Sequence, residues 1–301
     1  MRPASNKVRR ARPALGTFVE ITARGDGESK LHDAIDRAFN AIARVDRLMS
    51  FHHSDSDVSR INREAFQCKV TIGPWTWRVL RAAQKLSHET DGVFDITVAR
   101  KLMQWKYLPQ RYQNLSEGNW RDIVLEKNYT VRFRQRVIVD LGGIAKGFAV
   151  DRAVEVLKRA GIASGVVNAG GDLRVFGLKS ELVHLRHPAE PMRPAGAISL
   201  HERALATSGI YFAQKRRGKA VVSSLLDGRT RRCARNLMSV SVAAPVCMIA
   251  DALTKIVFVL REKSAPLLAR YRADALLLER NGAPSWMFPS LCDTSDRTGF
   301  D

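Results

Sequence analysis

Cysteine is scarce. The 301-residue chain has four, Cys68, Cys233, Cys247 and Cys292, and no two are spaced as CxxC. This argues against a zinc ribbon or a redox pair, and four thiols in a chain this long do not make a disulfide framework. They read as small buried hydrophobes or surface thiols. Long apolar runs are also missing, and none approaches the roughly 18 residues of a membrane span. Lys7, Arg9, Arg10 and Arg12 resemble the charged head of a signal peptide. The apolar stretch of about 7–15 residues that should follow is absent, because Gly16, Thr17 and Glu20 interrupt it. The expected location is the cytoplasm, or the periplasm if the N-terminus is incomplete. Aromatic residues make up only 7% of the chain and form no ladder, so a platform for stacked bases is not visible. Acidic residues are outnumbered. Lys+Arg total 49 against 30 Asp+Glu, a formal charge of +19. Such a charge favours anionic partners, whether nucleic acid, anionic lipid or a phosphorylated cofactor.

What is present is ordinary globular composition, 45% hydrophobic and 26% charged, which excludes long disorder. Residues 14–23 alternate, with Leu15, Thr17, Val19 and Ile21 on one side, and predict a strand. Residues 31–49 place Leu31, Ile35, Ala38, Phe39, Ile42, Val45 and Leu48 at helical spacing. A second helix is expected over 75–87, since Pro74 suits a first turn. A polar, loop-rich stretch follows at 114–128, then a hairpin or bent strand over 131–140. Helical periodicity returns over 144–159, with Gly161 as a C-terminal stop. Val166-Val167 and Leu173–Val175 read as strands around a glycine pair. Residues 196–206, 220–226 and 274–279 are strand-like, 247–260 is an apolar helix, and Pro188–Pro194 is a loop between halves. Strands and helices mix without a regular βαβ repeat, which favours α+β over a doubly wound sheet.

Three segments suit chemistry. In Asp140-Leu-Gly-Gly-Ile-Ala-Lys146-Gly147 a strand ends, two glycines permit a turn and a helix begins. A helix start favours an anion, and Lys146 adds a point charge. The spacing is neither a P-loop nor GxGxxG, so a plain structural turn is the competing reading. Asn168-Ala-Gly-Gly-Asp172 is a hairpin with polar corners, or a second loop lining the same anion site. Asp251 and Thr254 lie at i and i+3 inside the apolar helix 247–260. Two hard oxygen donors there suit Mg²⁺, and the competing reading is an Asp251–Lys255 pair at i, i+4. Weaker signals are the loop pair His52-His53, Asp95 or Thr97 as a cap, and Thr207-Ser208-Gly209. Basic clusters at 215–219 and 229–235 suggest an exposed patch.

The order of these motifs resembles the ApbE-type FAD:protein FMN transferase family, from about residue 14 to 261. The series runs Leu15-Gly16-Thr17, Met49-Ser50 with Asp55–Asn62, Asp91-Gly92 with Phe94–Val98, Asp140–Gly147, Asn168–Asp172, Thr207–Gly209 and Ala250–Leu253. The resemblance implies an α+β, T-fold-like architecture of mixed sheets with packed helices. Residues 1–13 would then be a basic tail, and 14–301 one FAD-binding transferase domain or two intertwined subdomains. It implies FAD as substrate, Mg²⁺, and transfer of FMN to a Ser or Thr of a target flavoprotein with AMP leaving. Asp251, Thr254 and a backbone oxygen at Gly143 match its metal positions, with Asp251 also catalytic. Leu15, His52, Trp105, Lys106, Tyr107, Asp140, Lys146 and Leu226 match its FAD contacts.

Two departures stand out. The family's His-Ile-Ile-Asp-Pro is Ser224-Leu225-Leu226-Asp227-Gly228 here, and its usual Thr four residues after the metal Asp is Lys255. An ammonium there competes with a cation or replaces part of its charge. Beside the active transferase stand two other readings. One is a member that binds or hydrolyses FAD without a protein acceptor, and the other is a protein that binds nucleic acid or an acidic partner.

Overall fold

The computed structural model describes residues 6–186, 194–210, 214–217, 220–234, 237–279 and 284–287. Cys292 and most of the loop expected at 188–194 lie outside them. The first strand, Asn6–Ala14, pairs with Thr17–Gly25 in unbroken register, from Asn6↔Gly25 to Ala14↔Thr17. From residue 6 onward the expected basic tail is therefore an edge strand. Its charges hide the period-two signal, and basic residues on an edge also discourage pairing with another chain. Leu15 and Gly16 close the hairpin with φ of 55° and 70°, the left-handed pair that a tight two-residue turn requires.

Eight strands form the main sheet, and their spatial order is their chain order. They are Asn6–Ala14, Thr17–Gly25, Ser164–Ala169, Asp172–Gly177, Ala204–Gly209, Leu237–Ala244, Asp274–Glu279 and Pro284–Met287. Every ladder in it is antiparallel, so no crossover helix is needed between neighbours. The architecture is α+β, as the motif order implies.

Alternation along the strands sorts the two faces. Phe176, Ala204, Ala206, Val240 and Val242 join the larger core. Against that face lie the helices Glu28–Met49, Ala145–Arg159 and Cys247–Leu260. Leu173, Val175, Leu205, Ala243 and Leu276 turn the other way and meet Leu185, Ile198 and Leu200. Those three belong to the hairpin Glu181–Arg186 with Pro194–Leu200. The run 196–206 is thus two strands in different sheets, broken where Glu202 takes a φ of 49°.

The long helices follow their periodicity. Leu31, Ile35, Ala38, Phe39, Ile42 and Val45 form the buried stripe of Glu28–Met49, and Pro74 opens Pro74–Glu89. Gly161, at φ 70°, ends the helix Ala145–Arg159. One helix, Asp57–Glu64, has too polar a sequence for the apolar period to reveal. The Ser56 hydroxyl caps it, accepting from the Ser59 N–H at 3.0 Å. The hairpin expected near 131–140 forms earlier, between Ile123–Glu126 and Thr130–Phe133. Residues 137–140 instead run extended past Asn62, whose amide donates to the Val139 carbonyl at 2.9 Å and accepts from its N–H at 2.8 Å.

Gly147 lets two helices touch. A Cβ there would sit 2.3 Å from the Cys247 carbonyl oxygen, so only glycine permits this approach of 145–159 to the start of 247–260. No side chain of its own caps that second helix. Asp151 does so from the neighbouring helix, accepting from the N–H groups of Cys247 at 3.0 Å and Met248 at 2.9 Å. A carboxylate at a helix N-terminus satisfies orphan donors and opposes the dipole favourably. Asp151 is itself paired with Arg174 at 2.6 Å. These contacts fix the helix that carries Asp251.

Candidate functional site

Two lysines and two aspartates meet where the helices 145–159 and 247–260 cross the sheet. Lys146 Nζ lies 3.0 Å from an Asp172 carboxylate oxygen, and Lys255 Nζ pairs with Asp251 Oδ1. Asp251 and Thr254 have no exposed surface, and Asp172 is also buried. Asp251 Oδ2 accepts from the Gly147 N–H at 3.0 Å. Lys255 also donates to the Asp251 backbone oxygen at 3.0 Å. Its stem runs beside Gly143, where a Cβ would lie 3.7 Å from Lys255 Cε. Thr254 donates to the Asp251 backbone oxygen at 2.7 Å and shares a 2.8 Å hydrogen bond with Ser208.

The electrostatics follow from burial. Burial and the nearby Asp251 charge push the Asp172 carboxyl up to about 6, against the pull of Lys146 and Lys255. Burial pulls Lys146 down, but Asp172 and Asp251 outweigh it and hold the ammonium above its ordinary value. Lys146 therefore stays charged. The helix start at Ile144 has no side-chain cap and no acidic residue in its first turn. Of its first N–H groups, Ala145 donates to the Leu141 carbonyl at 2.8 Å and Gly147 to Asp251, so it is the Lys146 ammonium that suits an anion here. Gly143 is not forced by the fold, since a Cβ there meets only ordinary contacts at 3.7 Å. The glycine that the packing demands is Gly147.

The remaining residues expected at the site form a chain of contacts around this cluster. The turn at Leu15 abuts the loop 168–172, because a Cβ on Gly170 would meet the Thr17 hydroxyl at 2.5 Å. In that loop Asn168 accepts from the Gly171 N–H at 3.0 Å, the local hairpin role. Asp172 instead turns to Lys146. Asp140 is half-buried beside the glycine turn. Burial raises its carboxyl, while the N–H groups of Gly142 and Leu141 and the His52 ring oppose the rise. The exposed His52 is joined through its carbonyl to Arg111 at 2.9 Å. The segment 105–107 docks on the excursion that follows the strand Ala204–Gly209. The Tyr107 hydroxyl donates to the Val222 carbonyl at 3.0 Å, and Lys215 donates to the Lys106 carbonyl at 3.0 Å. Trp105 packs under Lys101 at 5.3 Å. Leu226 is buried and bridges Cys233.

A cavity of about 680 Å³ opens elsewhere, lined among others by Asp91, Asp95, Arg100, Trp120, Arg121 and Arg231. None of the expected site residues lines it. Charges are internally paired in both places, and what sets the lysine–aspartate cluster apart is the two glycine-bearing segments, 140–147 and 168–172, that it joins. Asp95 caps the turn at Thr97, accepting from its N–H at 2.8 Å. Arg231 donates to Asp95 at 2.9 Å, to the Thr97 hydroxyl at 2.8 Å and to the Gly118 carbonyl at 3.1 Å. The basic clusters expected as an exposed patch are thus partly turned inward. Arg231 is a tether and Arg229 is paired with Asp227 at 2.8 Å. Lys215 lies over the Tyr107 ring at 4.5 Å, while Arg216 and Arg232 remain exposed. Residues 218–219 and 235 lie outside the described residues.

The sequence profile of the ApbE family matches residues 15–277. This chain belongs to the ApbE family. An FAD:protein FMN transferase of Vibrio cholerae is 29% identical over 278 residues, covering 85% of this chain and 82% of that relative. Its counterpart from Haemophilus influenzae is 28% identical over 281 residues, with 83% and 80% covered. The crystal structure of the ApbE protein from Thermotoga maritima matches with a TM-score of 0.86 at 27% identity, covering 95% of this chain and 98% of that one. Within the ApbE framework, Asp172, Ser208 and Gly147 are residues whose roles the sequence reading did not assign. The glycine loop flagged Asp172, but its link to Lys146 exists only in three dimensions. No helix among the described residues is long and apolar enough to cross a membrane.

Asp251 and Thr254 do not fit a magnesium ion as they stand. Both carboxylate oxygens of Asp251 already have partners in Lys255 and Gly147. Thr254 spends its proton on the Asp251 carbonyl and a lone pair on Ser208. Two ammoniums balance two carboxylates without a further cation. Among the described residues no group of three His, Cys, Asp or Glu side chains converges as a metal site.

Proposed function

We propose that this chain is an FAD:protein FMN transferase, moving FMN from FAD to a Ser or Thr hydroxyl of a target flavoprotein and releasing AMP. The observation that carries this reading is Lys146 in the first turn of its helix, paired to Asp172 and set against the Asp251 cluster. A pyrophosphate brings the negative charge that such a site stabilises. That relatives are named FAD:protein FMN transferase supports a flavin nucleotide as the source of that pyrophosphate.

In the proposed reaction the acceptor oxygen attacks the phosphorus of the FMN half. The bond from that phosphorus to the bridging oxygen breaks, AMP leaves with the oxygen, and the hydroxyl proton passes to solvent or base. Charge grows on the leaving phosphate, and preorganised positive groups lower that barrier. Lys146, in the first turn of its helix, holds the phosphates. Asp172 orients Lys146, the glycine loop 168–172 lets the backbone come close, and Asp140 and His52 line the approach. Asp251 holds Lys255 and the Gly147 N–H in place.

A second reading, hydrolysis of FAD to FMN and AMP without an acceptor, draws on Ser224–Gly228 standing where the family has His-Ile-Ile-Asp-Pro. Incubation with FAD, with and without a flavoprotein acceptor, followed by nucleotide chromatography, separates the two. Transfer requires AMP release that depends on the acceptor. AMP and free FMN in equal amounts without an acceptor favour hydrolysis, and intact FAD under both conditions refutes both.

A further inference from the structure

Lys255 is the most unusual member of the cluster. Its ammonium is bonded to Asp251 Oδ1 and to the Asp251 backbone oxygen. Its stem passes Gly143, and its side chain keeps 23% exposure while Asp251 keeps none. A buried carboxylate must be compensated. Three features describe the compensation here. Asp251 has one oxygen on an ammonium and one on a backbone N–H. Thr254, the neighbouring oxygen donor, is tied to Ser208 and to its own helix. Asp172, the second carboxylate, has its own ammonium in Lys146. A divalent ion entering between Gly143 and Asp251 would have to expel Lys255 and leave the cluster with surplus positive charge.

We infer that Lys255 is the resident cation of this site, so that the chain holds a pyrophosphate ester with two ammoniums and without a bound divalent metal. This deepens the proposed function and rests on it only in taking the ligand to be FAD. A lysine is a compact, strongly hydrated point charge on a flexible stem. Tethered at its head by Asp251, it is part-exposed, as Lys146 is, so both ammoniums of the cluster reach solvent. The geometry assigns it the charge-neutralising role toward phosphate oxygens beside Lys146.

The test begins with Mg²⁺ alone. Calorimetric titration of the full chain with Mg²⁺ should show no saturable binding into the millimolar range. Lys255→Thr should gain a single Mg²⁺ site. Stoichiometric Mg²⁺ binding by the native protein, with an affinity within threefold of the variant's, overturns the inference. So does a variant that binds no Mg²⁺. Lys255→Met leaves Asp251 without a counter-ion. Its thermal midpoint should fall and be raised again by Mg²⁺, whereas Mg²⁺ leaves the native midpoint unmoved. A Lys255→Met midpoint equal to the native one overturns the inference. FAD titrations come last. Native affinity should be the same in EDTA and in Mg²⁺, and that of Lys255→Thr should drop at least tenfold in EDTA. If neither protein binds FAD, the proposed function fails while the Mg²⁺ and thermal results still decide the role of Lys255.

Discussion

Asp151 accepts a hydrogen bond from the Met248 N–H at 2.9 Å, so a helix inside the sheet's cover is capped by a carboxylate from its neighbour. The same carboxylate pairs with Arg174. One side chain thus fixes the start of the helix that carries Asp251, Thr254 and Lys255, and ties that helix to the strand that begins at Asp172.

Asp151→Ala should therefore cost about 3–5 kcal/mol, the usual range when one partner of a buried ion pair is removed. Arg174 would be left unpaired and two helix N–H groups uncapped. Denaturant unfolding measures this directly. A loss below about 1 kcal/mol would mean that the cap does not hold the helix.

Two of the three glycines of the 140–147 segment should respond differently. Gly147→Ala forces a Cβ to within 2.3 Å of the Cys247 carbonyl oxygen, a backbone atom that cannot swing aside. Overpacking of that kind costs about 1–3 kcal/mol or more. It should also weaken FAD binding, because the Gly147 N–H orients Asp251. Gly143→Ala meets only contacts at 3.7 Å and should keep native stability. Thermal melts of both variants, with FAD titrations, check the pair.

Stability should fall as pH rises through the titration of Asp172. Its folded-state value is about 6 against the usual 3.8, so the native state holds the proton longer than the unfolded chain. The stabilisation is full below the unfolded value and is lost as pH rises through about 6. Two pH units amount to about 3 kcal/mol. Asp172→Asn removes this dependence, so its stability relative to the native protein should improve between pH 4 and pH 7.5. A constant difference between the two proteins across that range would contradict the shift.

Arg231 tethers the segment that contains Leu226 to the buried Asp95. Arg231→Met should destabilise the protein by about 3 kcal/mol, since Asp95 would keep its burial without its partner. The segment 225–233 should then become the earliest site of proteolysis. Cleavage elsewhere first would show that the tether is not what holds it.

Legibility in the sequence followed the range of the interactions. The stripe Leu31–Val45 and the stop at Gly161 are local, so the periodicity and one glycine sufficed. The pairing of Asp251 with Lys255 is local too, one turn apart on a helix, and stood in the sequence as the alternative to a metal. The edge strand Asn6–Ala14 was hidden because Arg10 and Arg12, on the same face as the buried Val8, carry charge where apolar residues would show the period. The helix Asp57–Glu64 was hidden because all of it except Val58 and Ile61 is polar or charged. The ion pair of Lys146 with Asp172, the cap from Asp151 and the reach of Arg231 to Asp95 join distant parts of the chain. No spacing encodes them. The sequence marked the members of the site, and the fold decided which of them meet.

The most direct measurement of the central claim is the intact mass of an acceptor flavoprotein after incubation with this chain and FAD, with Mg²⁺ present so that metal supply limits nothing. Proposed transfer predicts that the acceptor gains one FMN on a Ser or Thr. It also predicts that one AMP appears per modified acceptor, and that an acceptor with that residue changed to alanine stays unmodified. An acceptor of unchanged mass, with FAD intact or split into free FMN and AMP, would contradict it.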